Sequence, residues 1–242
     1  MTESDGVLVQ TEGLTIRYGA VTALDNVELL VRSGELVALV GPTGSGKTSL
    51  LNLLAGLETP DGGTVTLLGQ KLDSLSEDGK ADLRGRAVGM VYQSINLFSG
   101  FSVRDNLGLP LRLMVRPPYD ANMRTGELLN EFDLTGLADR FPAELSGGQR
   151  QLVAIARALA ARPPLILADE PTANLDSAAS RRITAQLRAL ADSGRHGVLL
   201  ATHDLRIASQ ADRVISLRDG RIAKETVLQP GRTAREVLAE LA

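Results

Sequence analysis

The sequence of 242 residues contains no cysteine and no tryptophan, and three tyrosines and four phenylalanines are its only aromatic residues. Because cysteine is absent, the chain has neither a disulfide framework nor a zinc site built on thiolates. No stretch approaches the roughly 18 consecutive apolar residues of a membrane-spanning helix. Residues 1–5 are acidic and lack the basic and apolar regions of a secretory signal. We therefore expect the chain to work in the cytoplasm.

An excess of charge of one sign is also missing. The 26 lysine and arginine residues nearly balance 29 aspartate and glutamate residues, so that the formal net charge is −3. Such a surface exerts no long-range attraction on nucleic acid or on anionic lipid. The sequence therefore predicts no nucleic-acid partner. With 43% hydrophobic residues, the chain has enough material for one large or two small domains.

The periodicity of apolar residues divides the chain into three parts. Early in the chain it is two, as at Leu14 and Ile16, which predicts an antiparallel sheet. Across residues 93–162 it becomes helical. After that, strand and helix patterns alternate up to a hairpin at Asp219 and Gly220. A short helix is expected in residues 233–242.

A glycine-rich loop of eight residues, the P-loop, joins a strand pattern to a helix pattern. It reads Gly41-Pro42-Thr43-Gly44-Ser45-Gly46-Lys47-Thr48 and matches G-x-x-x-x-G-K-[ST]. The apolar run Leu36 to Val40 precedes it, and leucines at residues 50–57 follow. Glycines let backbone N–H groups converge on phosphate oxygens, and a helix N-terminus adds partial positive charge. Lys47 would reach the β- and γ-phosphates, and Thr48 would offer its hydroxyl to Mg²⁺. The sequence predicts a nucleoside triphosphate site, and the alternative is a chance glycine turn.

A second glycine turn, residues 145–149, reads Leu145-Ser146-Gly147-Gly148-Gln149, and we call it the signature turn. Ser146 is a favourable N-cap, and the residues that follow have the apolar stripe of a packed helix. Taken alone, the turn could simply cap that helix. It is followed by a second apolar run that ends in two acids, Asp169 and Glu170.

In this order the three motifs resemble the ATP-binding subunit of ABC transporters, over about residues 7–224. The resemblance implies an α/β fold with a P-loop NTPase core and an antiparallel β subdomain, in residues 1–92 and 163–242. It also implies an inserted helical subdomain that carries the signature turn, in residues 93–162. Together these parts form a single ATP-binding domain, residues 1–242.

The resemblance also implies a role for individual residues. Tyr18 matches an aromatic residue that stacks on adenine, and Gln93 matches a glutamine that contacts Mg²⁺ and senses a membrane partner. Asp169 matches the acid that holds Mg²⁺ through its water shell. Glu170 matches the carboxylate that polarises the attacking water, and His203 matches a histidine that hydrogen-bonds the γ-phosphate. Each has a plain alternative, such as a surface tyrosine, a solvent-facing acid pair or a structural histidine.

The same resemblance implies that two chains share each nucleotide. Two copies of the chain, or this chain and a paralogue, pair head to tail around two ATP. The signature residues that then face the partner's ATP are Ser146, Gly147, Gly148 and Gln149. Asp176 belongs to the loop by which the two subunits sense each other's sites. The P-loop residues that hold the chain's own ATP are Gly41, Thr43, Gly44, Ser45, Gly46, Lys47, Thr48 and Ser49.

The function implied is that of an ATP-hydrolysing motor at the cytoplasmic face of a membrane, attached through a transmembrane permease subunit. Residues 93–98, 105–111 and 168–177 look most like the branch that serves lipoprotein release, macrolide export and cell division. One alternative is a soluble ABC-type ATPase that acts as a scaffold or mechanochemical machine. Another is a P-loop kinase, which has no use for the signature turn. The second histidine, His196, is expected to belong to a loop.

Overall fold

Two β-sheets and their covering helices make up residues 6–228, the part of the chain that the computed structural model describes. The strands are β1 (Val7–Tyr18), β2 (Val21–Arg32), β3 (Leu36–Val40), β4 (Gly62–Leu67), β5 (Gln70–Lys71), β6 (Val88–Val91), β7 (Leu165–Asp169), β8 (Gly197–Thr202), β9 (Arg213–Arg218) and β10 (Arg221–Val227). The helices are α1 (Lys47–Leu54), α2 (Glu77–Ala87), α3 (Val103–Leu113), α4 (Ala121–Glu131), α5 (Gly147–Ala158), α6 (Ser177–Asp192) and α7 (Leu205–Ala208). The helix expected in residues 233–242 lies outside the described residues.

The larger sheet has six strands in the order β10-β9-β3-β8-β7-β6. All are parallel to their neighbours except β10, which forms the predicted hairpin with β9. The carboxyl ends of β3, β8, β7 and β6 therefore follow one another along the same edge. Open parallel sheets place their ligands at such an edge.

The central strand β3 explains why its sequence is an unbroken apolar run. Leu36, Ala38 and Val40 belong to the core that the sheet forms with α3 to α7. Val37 and Leu39 point to the opposite face and belong to a second core, with α1, α2 and the smaller sheet. All five side chains are buried. A strand covered on both faces needs an apolar residue at every position.

The smaller sheet is antiparallel, in the order β2-β1-β4-β5. Leu14 and Ile16, which carry the two-residue periodicity, are buried, and Leu14 pairs with Val27. Their face packs against α1 in the second core. The predicted antiparallel sheet is therefore confirmed.

Between β6 and β7 lie α3, α4 and α5, with short 3-10 turns at Thr135–Leu137 and Pro142–Glu144. Their apolar faces join the core above the six-stranded sheet. None of the helices between residues 6 and 228 combines the length and the apolarity that crossing a bilayer requires. The mixed α/β fold class is confirmed, whereas the subdomain limits at residues 93 and 162 stay a prediction.

One local expectation differs from the structure, and one helix was not expected from the sequence. Leu57 does not extend the apolar stripe of α1, because Gly56 adopts a left-handed backbone (φ 63°) after the helix, and Leu57 is exposed. The helix α2 could not be predicted from apolar periodicity, because only two of its residues, Leu83 and Ala87, are buried. Its remaining signal is electrostatic, with an N-cap at Ser76, acids in the first turn and arginines in the last.

His196 lies in the expected loop, but its imidazole is buried. Nδ1 lies 2.7 Å from the Pro163 carbonyl oxygen, which can only accept, so Nδ1 carries a proton that it donates. Burial lowers the pKa of His196 below its usual range, and the hydrogen bond to Pro163 only partly opposes this effect. The structure therefore favours the neutral imidazole.

We expect this histidine to make stability depend on pH. A pKa lowered by folding contributes stability that is complete above about pH 6.5 and is lost as the pH falls through the folded pKa. The loss is at most about 1.4 kcal/mol per pH unit. Urea midpoints at about pH 7.5 and 5.5 measure it. The variant His196→Gln, which has no proton to gain, should show the smaller difference, and equal pH dependence would contradict the prediction.

Candidate nucleotide site

Four strands of the six-stranded sheet deliver the predicted site residues to one edge. The P-loop leaves β3, His203 follows β8, Asp169 ends β7 and is followed by Glu170, and Gln93 lies two residues beyond β6. Because β3, β8, β7 and β6 are successive parallel strands, these residues form a row. The edge therefore collects residues that are far apart in the sequence.

The P-loop passes so close to neighbouring backbone that it requires glycine at two positions. A Cβ at Gly41 would lie 2.3 Å from the Leu217 carbonyl oxygen. A Cβ at Gly46 would lie 2.4 Å from the Ala23 carbonyl oxygen, and Gly46 has a left-handed backbone with φ of 105°. Gly46 is also the residue that precedes α1, so the loop opens directly onto a helix N-terminus. This geometry fits a phosphate group.

Lys47 folds back across the P-loop and is almost fully buried. Its Nζ donates to the carbonyl oxygens of Gly41 (2.8 Å) and Pro42 (3.1 Å). The same Nζ lies 3.9 Å from Glu170 Oε1. An ammonium group has three donors, so Lys47 connects the loop with the acid that follows β7.

Thr48 and Asp169 meet across 121 residues of sequence. The Thr48 Oγ1 donates to Asp169 Oδ2 at 2.8 Å. Burial raises the pKa of Asp169, and the charge of Glu170 adds to this effect, while Thr48 and Lys47 oppose it. A cation beside the two oxygens would stabilise the ionised carboxylate.

Glu170 and His203 form a second pair at the same edge. The Nδ1 of His203 lies 2.9 Å from Glu170 Oε2 and 3.0 Å from Oε1. Glu170 has φ of 44°, a left-handed conformation that is uncommon in residues other than glycine. Its N–H donates to the Ala201 carbonyl in β8 at 3.0 Å. Strain of this kind costs about 1–3 kcal/mol and is concentrated at functional sites.

Tyr18 is half exposed and is held by two contacts from its hydroxyl. The hydroxyl donates to the Glu58 carboxylate and lies 3.3 Å from Ser49 Oγ in α1. Glu58 Oε1 also accepts from Asn52 Nδ2 at 2.7 Å. Burial raises the pKa of Tyr18, and Glu58 raises it further. Sequence reasoning did not identify Glu58, because no local pattern indicates a partner 40 residues away.

Gln93 is exposed and lies in a turn. The turn is closed by the Ile95 N–H, which donates to the Tyr92 carbonyl at 3.2 Å. In residues 6–228 the Gln93 side chain takes part in none of the protein's hydrogen bonds, so its amide is available for a ligand.

The signature turn is a reciprocal helix cap. Ser146 Oγ accepts from the Gln149 N–H at 3.2 Å, and Gln149 Oε1 accepts from the Ser146 N–H at 2.8 Å. This arrangement is a capping box, and it leaves the first N–H groups of α5, at Gly147 and Gly148, without helical partners. Within the described chain, no hydrogen bond or ion pair joins these four residues to the P-loop. The structure does not bring the two motifs together.

Asp176 has a structural role of its own as the N-cap of α6. Its Oδ1 accepts from the N–H groups of Ala178 (2.8 Å) and Ala179 (2.9 Å). A Cβ at Gly148 would lie 3.1 Å from the Ala179 Cβ, so the signature turn packs directly against the start of α6.

The oxygen atoms at the sheet edge fit Mg²⁺ better than a metal held by protein alone. Residues 6–228 contain no group of three or more histidine, cysteine, aspartate or glutamate side chains that could hold a metal. Mg²⁺ usually takes one or two carboxylates and completes its shell with phosphate and water. The Thr48 hydroxyl and the Asp169 carboxylate match that donor set.

Comparison with known proteins finds similar proteins over most of the chain, and all of those described below are ATP-binding proteins or part of an ABC transporter complex. The family described as ABC transporter matches residues 24–173. The lipoprotein-releasing system ATP-binding protein LolD of Chromohalobacter salexigens is 42% identical over 223 residues, which cover 90% of this chain and 94% of that protein. The LolD protein of Pseudomonas fluorescens is 44% identical over 203 residues, which cover 84% and 89%.

Solved structures agree with the sequence relatives. The dimeric ATP-binding cassette MJ0796, in a post-hydrolysis state with ADP and Pi, has a TM-score of 0.84 and 36% identity, covering 92% of this chain and 99% of that one. The cbiO1 protein of Clostridium perfringens, part of the transporter complex cbiONQ, has a TM-score of 0.83 and 28% identity, covering 98% and 92%. The kinase alternative is therefore wrong. The chain belongs to the ABC transporter family, as an ATP-binding and ATP-hydrolysing motor subunit.

Proposed function

We propose that two of these subunits close head to tail on two ATP molecules and that hydrolysis drives a separate membrane permease in lipoprotein release. The observation that carries this proposal is the row of Lys47, Glu170 and His203 at one sheet edge, with the signature turn apart from it. A single chain has half of each site. A second chain would bring its signature turn to the first chain's P-loop.

The first half of the site binds the nucleotide. The P-loop N–H groups and Lys47 hold the phosphates, and Lys47 exchanges its carbonyl partners for phosphate oxygens. Tyr18 stacks on adenine, and its contacts with Glu58 and Ser49 fix the position of the ring. The remaining P-loop contacts come from Thr43, Gly44, Ser45 and Ser49.

The second half arrives from the partner. Ser146, Gly147, Gly148 and Gln149 of the partner chain face the γ-phosphate with the free N–H groups and the positive end of α5. The Asp176 loop, which packs beside the signature turn, reports on the state of the opposite site. The MJ0796 structure is a dimer of such cassettes, which supports this arrangement.

Hydrolysis uses the acid at the end of β7. Glu170 accepts a proton from water as the water oxygen bonds to the γ-phosphorus. The bond from that phosphorus to the bridging oxygen breaks, and ADP leaves with the bond's electron pair. His203 hydrogen-bonds the γ-phosphate and, through Nδ1, orients Glu170. General-base help of this kind contributes about 10²–10⁴-fold in rate.

Thr48, Asp169 and Gln93 would hold Mg²⁺ beside the phosphates. When bound, the ion supplies positive charge that offsets the charge developing on the phosphate oxygens. Asp169 would act on it through its water shell, and the exposed Gln93 amide, which follows the adjoining strand β6, would be a further ligand.

A change at Thr48 tests the metal assignment. Thr48→Val removes the hydroxyl but keeps the shape, so we expect the Mg²⁺ concentration for half-maximal ATPase activity to rise about 10- to 100-fold. Binding of ATP without Mg²⁺, measured by fluorescence of a nucleotide analogue, should change little. Thr48→Ser keeps the hydroxyl and serves as the matched control. An unchanged Mg²⁺ requirement in Thr48→Val would remove Thr48 from the metal site.

The transport assignment depends on the LolD relatives and has its own experiment. Tagged chain is isolated from its native membranes in mild detergent, its partners are identified by mass spectrometry, and its ATPase activity is assayed in parallel. A stoichiometric permease is the expected result, which would also place the chain on the membrane surface. Recovery of soluble proteins alone, with ATPase activity intact, would overturn the permease in favour of a soluble machine.

A further inference from the structure

The turn that carries Gln93 has an unusual backbone. Gln93 and Ser94 are its central residues, and it closes at Ile95. Ile95 and Asn96 are both left-handed, with φ of 62° and 49°. For a β-branched residue such as isoleucine this conformation is a genuine outlier, because the branched Cβ crowds the backbone. A contact from elsewhere in the fold must hold the turn.

That contact comes from Arg157, in the last turn of α5. Its Nη1 donates to the Asn96 carbonyl at 2.8 Å, and its Nη2 lies 3.3 Å from the Ile95 carbonyl. One guanidinium thus spans the carbonyls of both left-handed residues, which its rigid fork of donors allows. The Arg157 side chain is half-buried, and this burial lowers the pKa of its guanidinium.

The same helix begins at the signature turn. From Gly147 to Ala158 it has 12 residues, or about 18 Å at 1.5 Å per residue. Its two ends therefore contact two different parts of the proposed machinery. The N-terminal end presents Ser146 to the partner's nucleotide, and the C-terminal end holds the turn of Gln93.

We propose that Arg157 is a positioning residue that fastens the Gln93 turn to α5, so that Gln93 and the signature turn move as one body. This inference rests on the proposed role of Gln93 as a contact of Mg²⁺. In the described chain, Arg157 itself makes no hydrogen bond or ion pair with the P-loop or with Tyr18. It should therefore affect the rate of hydrolysis rather than the affinity for ATP.

Steady-state ATPase kinetics of the full chain with Arg157→Lys test this separation. Lysine keeps the charge but has a single ammonium that cannot reproduce the fork. We expect kcat to fall about tenfold or more, because small misplacements of a site are costly, while KM for ATP stays within about twofold. Arg162→Lys is the matched control. Arg162 lies four residues beyond the end of α5, is exposed, and forms an ion pair with Glu127. A wild-type kcat in Arg157→Lys overturns the proposal.

A double variant distinguishes an effect of Arg157 that acts through Gln93 from a general loss of ATPase activity. If Arg157 acts through Gln93, then Gln93→Ala with Arg157→Lys is no slower than Gln93→Ala alone. A double variant slowed by the product of the two single effects overturns the inference but leaves the role of Gln93 intact. A wild-type rate in Gln93→Ala instead overturns the proposed role of Gln93, and the inference with it.

Hydrogen exchange gives a readout that does not depend on activity. Amides in residues 93–97 should exchange faster in Arg157→Lys than in wild type, and Arg162→Lys should leave them unchanged. Should the lysine variant fail to fold, Arg157→Gln avoids a buried charge and is measured in its place. Unchanged exchange in a folded variant overturns the proposal, because the arginine then does not hold the turn.

Discussion

Replacing Glu170 with glutamine lowers ATP hydrolysis by about 10²–10⁴-fold and leaves ATP binding in place. The amide is nearly the same size and keeps a hydrogen bond to His203, but it cannot accept a proton from water. Since binding and closure precede hydrolysis, Glu170→Gln should accumulate as an ATP-bound dimer. Phosphate release measures the first effect, and sedimentation with and without millimolar ATP measures the second.

The control for this variant is Glu28→Gln, which makes the same chemical change at an exposed position in β2. It should hydrolyse ATP at the wild-type rate and show no trapped dimer. Hydrolysis by Glu170→Gln at the rate of the control would remove Glu170 from the chemistry. A variant that stayed monomeric in ATP would count against the head-to-tail dimer.

Replacing Gly46 with alanine should abolish the P-loop as a phosphate site. The new Cβ would meet the Ala23 carbonyl oxygen at 2.4 Å and the Leu24 side chain at 2.8 Å, and the backbone carbonyl cannot move aside cheaply. The left-handed conformation costs about 1–2 kcal/mol and the clash about as much again or more. We expect the displaced loop to lose about two charge-assisted hydrogen bonds from its N–H groups to phosphate. At about 1.5–3 kcal/mol each, this loss lowers ATP affinity by about 100-fold or more.

Gly194→Ala distinguishes the clash from the cost of the backbone conformation. Gly194 also has a left-handed backbone (φ 70°), but nothing lies within 4 Å of a Cβ there. We expect a loss of about 1–2 kcal/mol in the free energy of unfolding and unchanged ATP affinity. Urea denaturation and nucleotide titration of both variants provide the comparison. Equal effects in the two variants would mean that the contact with Ala23 does not constrain the P-loop.

The parts of the site that could be predicted from the sequence are those whose chemistry is local. The P-loop needs its glycines within one short turn, and Ser146 caps α5 through Gln149, three residues away. A buried parallel strand is also a local signal, because both of its faces must be apolar. The charged helix α2 was not predicted, since it lacks an apolar stripe and depends on its caps and end charges.

Contacts between distant residues could not be predicted in the same way. Glu58 holds Tyr18 from 40 residues away, and Arg157 holds Ile95 from 62 residues away through a backbone carbonyl. A carbonyl is present at every residue, so the sequence contains no sign of such a partner. Resemblance to a family supplied the roles of single residues, but not what holds those residues in place.

The sequence by itself determined the chain's local chemistry: a phosphate loop between strand and helix, a capped helix at the signature turn, and two acids after a buried strand. The tertiary structure alone decided that Thr48 meets Asp169, and Glu170 meets His203, across 121 and 33 residues. It also left the signature turn without a hydrogen bond or ion pair to the P-loop in the described chain. The physical reason is that turns and caps are set by neighbouring residues, whereas the order of strands in a sheet is set by burial over the whole chain.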